Sequence, residues 1–488
     1  MQLQPTTDSP RLADVVAQGS TRALVEFIVV LVLSILTFRT FAAEAYIVPT
    51  GSMAPTLLGM HRVVPCANCK MPFAVGMDEE GRSGRAVCPN CGHDSLDQGV
   101  SLECSGDRLL VQKYLYDLRD PRRWEVAVFQ SPEEQNQAYV KRVVGLPGES
   151  VQILGGDLYI DGKIARKSLA QQHAMRIPVH DSTYFPADAN RFPRWVFHKA
   201  RPNGPRNAAS GWTVDQNRFV HRDLGDSGEG TIDWLDYRHW QPDRIRYGPI
   251  NDFSPYNGGD LRGENSVGDL SMEVDVALKP EARSLSIRIG RDGDRFYISL
   301  PVDGRRPAEV RRNGLIVPLL NLRGSLTSSP DSSVVSRVEA SLMDRRLIVA
   351  VDGTPLFDPI DFEMTEDPIG GSLFASPVGL GLEGSGAEVS AIRLYRDVFY
   401  TAALAGATRK AFGVDRPYQL KEGEFFVLGD NSAVSNDSRF WKLSPVVRAE
   451  MFLGKPFLVH LPGQVMPLKV FGRSVYWVPD PREIRYIR

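Results

Sequence analysis

At 488 residues the chain is too long for one ordinary hydrophobic core, and at roughly 150 residues per domain it is expected to form about three units. A hydrophobic fraction of 42% and a charged fraction of 24% are ordinary globular usage, which excludes a wholly disordered chain and a many-pass membrane protein. The net charge of -2 gives no electrostatic ground for a nucleic-acid partner.

Residues 1–22 read as an N-terminal tail. From Ala23 to Ala43 the run ALVEFIVVLVLSILTFRTFAA would make a helix about 30 Å long, enough to cross a bilayer once. Glu26 and Arg39 sit near its two ends, where polar side chains reach the interface, and nothing charged lies between them. The pattern predicts a single-pass anchor over 23–43. A cleavable signal peptide would be more basic at its start and would leave Ser52 close to a free N-terminus. Arg11 and Arg22 against Asp8 and Asp14 give only a faint positive-inside bias, so charge does not set the orientation.

Just beyond the anchor comes Pro49-Thr50-Gly51-Ser52-Met53-Ala54-Pro55-Thr56-Leu57. Pro-Thr-Gly-Ser is good turn chemistry in itself, and its place at a membrane surface makes Ser52 a candidate nucleophile.

Cys66-Ala-Asn-Cys69 and Cys88-Pro-Asn-Cys91 are two C-x-x-C pairs at the spacing of a four-thiolate zinc ribbon, within an insertion over 66–104. Two disulfides are the competing reading if this part lies in an oxidising exterior. A structural rather than catalytic zinc is expected, because four thiolates close the shell and no H-E-x-x-H occurs. Cys104 is left over, and His61 and His93 flank the cluster.

Gly106 to Tyr114 reads as a turn followed by a strand, and short β-type runs follow at Glu125–Phe129, Tyr139–Val144, Ser150–Ile153 and Leu158–Ile160, with turns at Pro147-Gly148 and Asp161-Gly162. Lys141 lies in Tyr139-Val140-Lys141-Arg142-Val143-Val144. An amine with an ordinary pKa of about 10.4 needs a depression of roughly three pH units to act as a base near neutrality, and burial supplies it. The apolar neighbours of Lys141 suit this better than Lys163 or Lys167, which read as exposed. An edge-strand lysine facing solvent is the bland alternative, and Lys113 is the competing base.

Between 165 and 401 the composition turns aromatic and turn-rich, with Trp195, Trp212, Trp234 and Trp240. Its second half alternates as strands: Leu270–Leu278, Leu285–Ile289, Phe296–Leu300, a hairpin around Asp352-Gly353, then Val378–Leu382 and Val389–Tyr395. This predicts an inserted β-sandwich or jelly roll. Gly379-Leu-Gly381-Leu-Glu-Gly384 fits G-x-G-x-x-G but has no following helix, so a dinucleotide site is not expected. Residues 402–488 return to the earlier pattern, with Glu422 to Leu428 running into Gly429-Asp430-Asn431-Ser432-Ala433-Val434-Ser435-Asn436-Asp437-Ser438-Arg439-Phe440-Trp441. A solvated loop is the bland reading of that run.

Three segments, Pro49 to Leu57, Tyr139 to Glu149 and Gly429 to Trp441, together resemble type I signal peptidase. The closing strands through Arg393-Leu-Tyr-Arg-Asp397 are similar, more loosely, to concanavalin-like jelly rolls. The first resemblance implies a mainly β fold: an anchor at 23–43, a catalytic core in two parts, 44–164 and 402–488, and insertions at 66–104 and 165–401. It implies a Ser-Lys serine endopeptidase that removes signal peptides from exported preproteins, with no cofactor for catalysis. Ser52 would be the nucleophile and Lys141 the general base. The Ser52 N–H and the Thr50 hydroxyl would face the oxyanion, and many family members have serine where this chain has Thr50. Ser435 would orient the lysine, Asp437 and Arg439 would pair beneath the site, and Gly429, Asp430 and Asn431 would shape the loop. Lys442 stands where the family often has glycine. Substrate pockets would lie near Tyr46 to Val48 and around Val140. The implied location is the cytoplasmic membrane with the catalytic part on its outer face. Partners would be signal peptides, the bilayer, and a carbohydrate or protein ligand for the insertion. Rival readings are an inactive anchored binding protein and a glycan-active enzyme built on the insertion.

Overall fold

The computed structural model describes residues 22–34 and 43–487, apart from 79, 96–101, 135, 201–208, 216, 223–229, 243, 259–262, 292, 303–305, 331–333, 364–375, 403–410, 464 and 471–472. It is mainly β, as the alternating patterns predict.

Residues 22–34 form a helix whose apolar side chains are exposed. No helix among the described residues is long and apolar enough to cross a membrane. The rest of the expected span, 35–42, and residues 1–21 of the tail lie outside the described residues. Ala43, expected to end the span, instead opens the strand Ala43–Ile47 and pairs with Gln112, because the residues after it alternate and match a waiting edge.

Two distant pieces of chain build one sheet. Among the described residues its order is Ala43–Ile47, Arg108–Gln112, Phe452–Leu461, Val126–Gln130, Ala138–Gly145, Glu424–Leu428 and Val447–Arg448. Val126-Ala-Val-Phe129 is buried without alternation, as befits a central strand covered on both faces. One face packs Val48, Met53, Leu57, Leu109, Val111 and Val126. The other packs Phe129, Val143, Phe425, Val427 and Trp441. Beside it, the hairpins at Gly155-Gly156 and Asp161-Gly162 turn through two residues of positive φ each, the twist that suits a two-residue hairpin.

Among the described residues, the segment between the two pieces is a sandwich of a nine-stranded and a seven-stranded sheet around a large apolar core. The alternating runs predicted from 270 onward are strands of these sheets, including the Asp352-Gly353 hairpin. Earlier strands, Ile177–Asp181, Trp195–Ala200, Trp212–Asp215, Arg218–His221 and Ile232–Tyr237, complete them where the sequence shows only aromatic, turn-rich chain. Trp195, Trp212, Trp234 and Trp240 are all buried. The G-x-G-x-x-G run is an interior strand, Val378–Gly384. At Gly381 a Cβ would stand 2.7 Å from Ile232 and 3.0 Å from Trp234, so the glycine serves packing.

A seam of buried charge joins this sandwich to the two-part sheet and its hairpins. Lys167 reads as exposed in the sequence but is buried, with Nζ 2.7 Å from Asp344 and 2.8 Å from Asp397. Two carboxylates from the sandwich supply the compensation that takes its ammonium out of water. Arg291 bridges Asp157 and Asp269 nearby.

Candidate active site

The chain at Val48–Ser52 is held from several sides. The Val48 N–H donates to Asp107 O at 2.9 Å, and the Met60 N–H donates to Pro49 O at 3.1 Å. Asp107 accepts from the Leu58 N–H, the Gly463 N–H and Arg485 Nη2 at 3.0, 3.0 and 2.8 Å. Met53 and Leu57 are wholly buried and anchor the loop in the core, leaving Ser52 half-buried between them and the turn.

Lys141 stands in Ala138–Gly145, beside its central neighbour strand, on the same face as Tyr139 and Val143. Its Nζ donates to Ser52 Oγ at 2.7 Å, and the side chain is only 4% exposed. Burial lowers its pKa to about 8, with Asp437 and Asp430 pulling upward and Arg439 downward. The solvent-facing alternative is thereby set aside. Lys113 is exposed and pairs with Glu44 at 3.3 Å instead.

The loop after Glu424–Leu428 closes over both residues. A Cβ on Gly429 would stand 2.5 Å from Ser52 O and 2.2 Å from Ser435 Oγ, so only glycine permits the approach. The Asn431 N–H donates to Ser52 O at 3.1 Å and its Nδ2 to Gly51 O at 3.0 Å. Asp437 and Arg439 form a wholly buried ion pair at 2.8 Å, and Asp437 also accepts from the Gly429 N–H at 3.0 Å. The Asp437 carboxyl titrates below its ordinary value despite burial, because Arg439 faces it.

Ser435 does not make its expected bond. Its Oγ is buried without a hydrogen-bond partner and faces the Gly429 backbone, so the bond expected to Lys141 is not made. Neither the Thr50 hydroxyl nor the Ser52 N–H has an acceptor among the described residues. Thr50 is exposed.

Sequence reading missed three groups here. Arg142 is buried and grips Asp430 at two points, 2.8 and 2.6 Å. Thr56 donates to the same carboxylate at 2.5 Å, and Asp107 is the clamp described above. Asp430 thus ties the loop to both the lysine strand and the serine turn. The adjacency of Arg142 to Lys141 was the available signal for the first; nothing in the spacing pointed to the others.

Cys66, Cys69, Cys88 and Cys91 come together with all four Sγ within 4.8 Å of one another. The Cys66–Cys91 and Cys69–Cys88 separations are 3.5 Å, far beyond a disulfide's roughly 2.05 Å. A tetrahedron with metal–sulfur bonds of about 2.3 Å has edges of about 3.8 Å, so the donor set fits a metal ion. Cys104 is buried outside this group, and neither His61 nor His93 belongs to it.

A hydroxyl touching a buried amine of lowered pKa, on a β framework, is the equipment of a serine–lysine hydrolase centre. Residues 99–203 and 386–461 match the family described as signal peptidase, peptidase S26, which takes in Lys141 and the 429–441 loop but not Ser52. The match falls in two separated parts of the chain, on either side of most of the sandwich. The chain is 30% identical over 175 residues to signal peptidase I of Leptolyngbya laminosa, covering 34% of this chain and 59% of the relative. With signal peptidase I of Rickettsia bellii the identity is 29%, over 29% of this chain and 39% of the relative. With that of Pseudomonas aeruginosa it is 39%, over 13% and 27%. The chain therefore spans less than two thirds of these curated relatives.

Proposed function

We propose that this chain is a serine endopeptidase that removes N-terminal signal peptides from exported preproteins through an acyl-enzyme. The observation that carries this reading is the 2.7 Å contact between Lys141 Nζ and Ser52 Oγ, with the amine buried. Neutral Lys141 takes the Ser52 proton as Oγ attacks the scissile carbonyl. The oxyanion forms against the Ser52 N–H and the Thr50 hydroxyl, which have no other acceptor among the described residues. The tetrahedral intermediate collapses to an ester as Lys141 gives its proton to the leaving amine, and Lys141 then activates water to release the signal peptide.

Ala138 to Lys141 pair with Val126–Gln130 on one side, while Glu424–Leu428 begins its pairing only at Arg142. An extended substrate fits that open edge as an added strand. Its small side chains would enter near Tyr46 and Val140, both of which pack, partly buried, against the same apolar cluster.

In this reading the apolar run from Ala23, ending before the strand that opens at Ala43, anchors the chain in the cytoplasmic membrane with the catalytic part on the outer face. The cysteines hold a structural zinc, and the 165–401 insertion docks a partner. Burial of its four tryptophans favours a protein partner over a sugar stacked on those rings. The test is cleavage of a signal-peptide substrate by the full chain with Ser52→Ala as control. Equal cleavage by the two would overturn the reading.

A further inference from the structure

The 165–401 insertion separates Lys141 from the Gly429 to Trp441 loop in sequence. The structure brings one of its turns onto the serine. Pro255–Asn257 forms a short 3-10 turn, with proline at its start fixing the entry. Tyr256 is buried, and its hydroxyl donates to Met60 O at 2.8 Å. Its ring fills the space that side chains would need at Gly51 and Gly76: a Cβ at those positions would stand 1.8 and 2.3 Å from Cε1. The ring is therefore wedged between the serine turn and the Pro72–Gly76 strand of the cysteine-bearing segment.

Asn257 makes two amide-to-amide hydrogen bonds with Asn431. Its Nδ2 donates to Asn431 Oδ1 at 3.1 Å, and its Oδ1 accepts from Asn431 Nδ2 at 2.6 Å. The other proton of Asn431 Nδ2 goes to Gly51 O at 3.0 Å. Gly51 C=O and Ser52 N–H are the two ends of a single planar peptide unit. Holding the carbonyl therefore fixes the direction in which the N–H points.

We propose that Tyr256 and Asn257 are positioning residues that set the Ser52 peptide plane, so that the insertion completes the oxyanion site. The proposal rests on the reading of Ser52 as nucleophile. Asn257 orients the Asn431 amide, Asn431 holds Gly51 O, and Tyr256 stops the turn from collapsing onto the neighbouring hairpin. Neither residue touches Lys141.

The test compares the full chain with Asn257→Ala, Tyr256→Ala and Tyr256→Phe on a signal-peptide substrate, with burst titration of acylated enzyme and Ser52→Ala as control. The two alanine variants should lose roughly ten- to hundredfold in kcat per titrated site, with KM within about twofold and the pH limb unmoved. Tyr256→Phe keeps the ring and should retain most activity. If Ser52→Ala cleaves as the parent does, the nucleophile reading falls and takes this proposal with it. If Ser52→Ala is inactive while the alanine variants keep the parental kcat per titrated site, the proposal alone is overturned. It is overturned equally if those variants lose only the fraction of titratable enzyme.

Discussion

Arg142 and Asp430 form a buried two-point ion pair across 288 residues of sequence, Nε to Oδ1 at 2.8 Å and Nη2 to Oδ2 at 2.6 Å. It fastens the strand that carries Lys141 to the loop that covers Ser52. Removing one partner strands the other charge in the core. Asp430→Asn or Arg142→Met should therefore cost about 3–5 kcal/mol in urea unfolding. An unchanged midpoint would show that the pair contributes nothing.

Ser52→Ala and Lys141→Met should each lower kcat/KM at least about a hundredfold. Lys141→Met also removes an amine that is costly to bury, so its melting temperature should equal or exceed that of the parent. Circular dichroism melts beside the cleavage assay decide it. A collapse of Tm in Lys141→Met would assign the lysine to the fold.

Lys141 has a pKa lowered to about 8, and only the neutral amine accepts a proton. The log of kcat/KM should rise with unit slope up to about pH 8 and level off above it. The linked effect on stability has the same direction. Between about 8 and the ordinary lysine value near 10.4 the unfolded chain holds the proton that the folded chain has lost. Stability from this group therefore rises with pH across that window and is flat below it. Unfolding free energies across the window should show the slope in the parent and lack it in Lys141→Met.

Chain purified without chelator should carry one equivalent of zinc and show five reactive thiols once denatured with the metal removed. Cys88→Ser should lower the metal content and loosen the Pro72–Gly76 strand, whose segment packs around the four sulfurs. A metal-free sample with a single reactive thiol would assign two disulfides instead.

Strand rhythm and turn chemistry make the β architecture legible in the sequence alone. Alternation locates the sandwich strands from Leu270 onward, and the Asp-Gly pairs locate hairpins, because both depend on local geometry. Ser52, Lys141 and the four cysteines are legible because their chemistry is carried by residue type and spacing. What escapes is set by the packing partner. Lys167 reads as a surface lysine until Asp344 and Asp397 are brought to it from about two hundred residues away. Ser435 has a hydroxyl suited to a bond with lysine, but it lies against Gly429 and makes no hydrogen bond. The strands between Ile177 and Tyr237 are hidden because their aromatic residues break the simple alternation that marks a half-buried sheet.

The long separation between Arg142 and Asp430 also bears on when the site comes into being. A ribosome adding roughly 5–20 residues per second needs about 15–60 s to pass from one to the other. Throughout that interval Ser52 and Lys141 are already made, but the loop that fixes the serine's peptide plane does not exist. The sandwich between them therefore sets a delay between the making of Ser52 and Lys141 and the making of the loop that covers them.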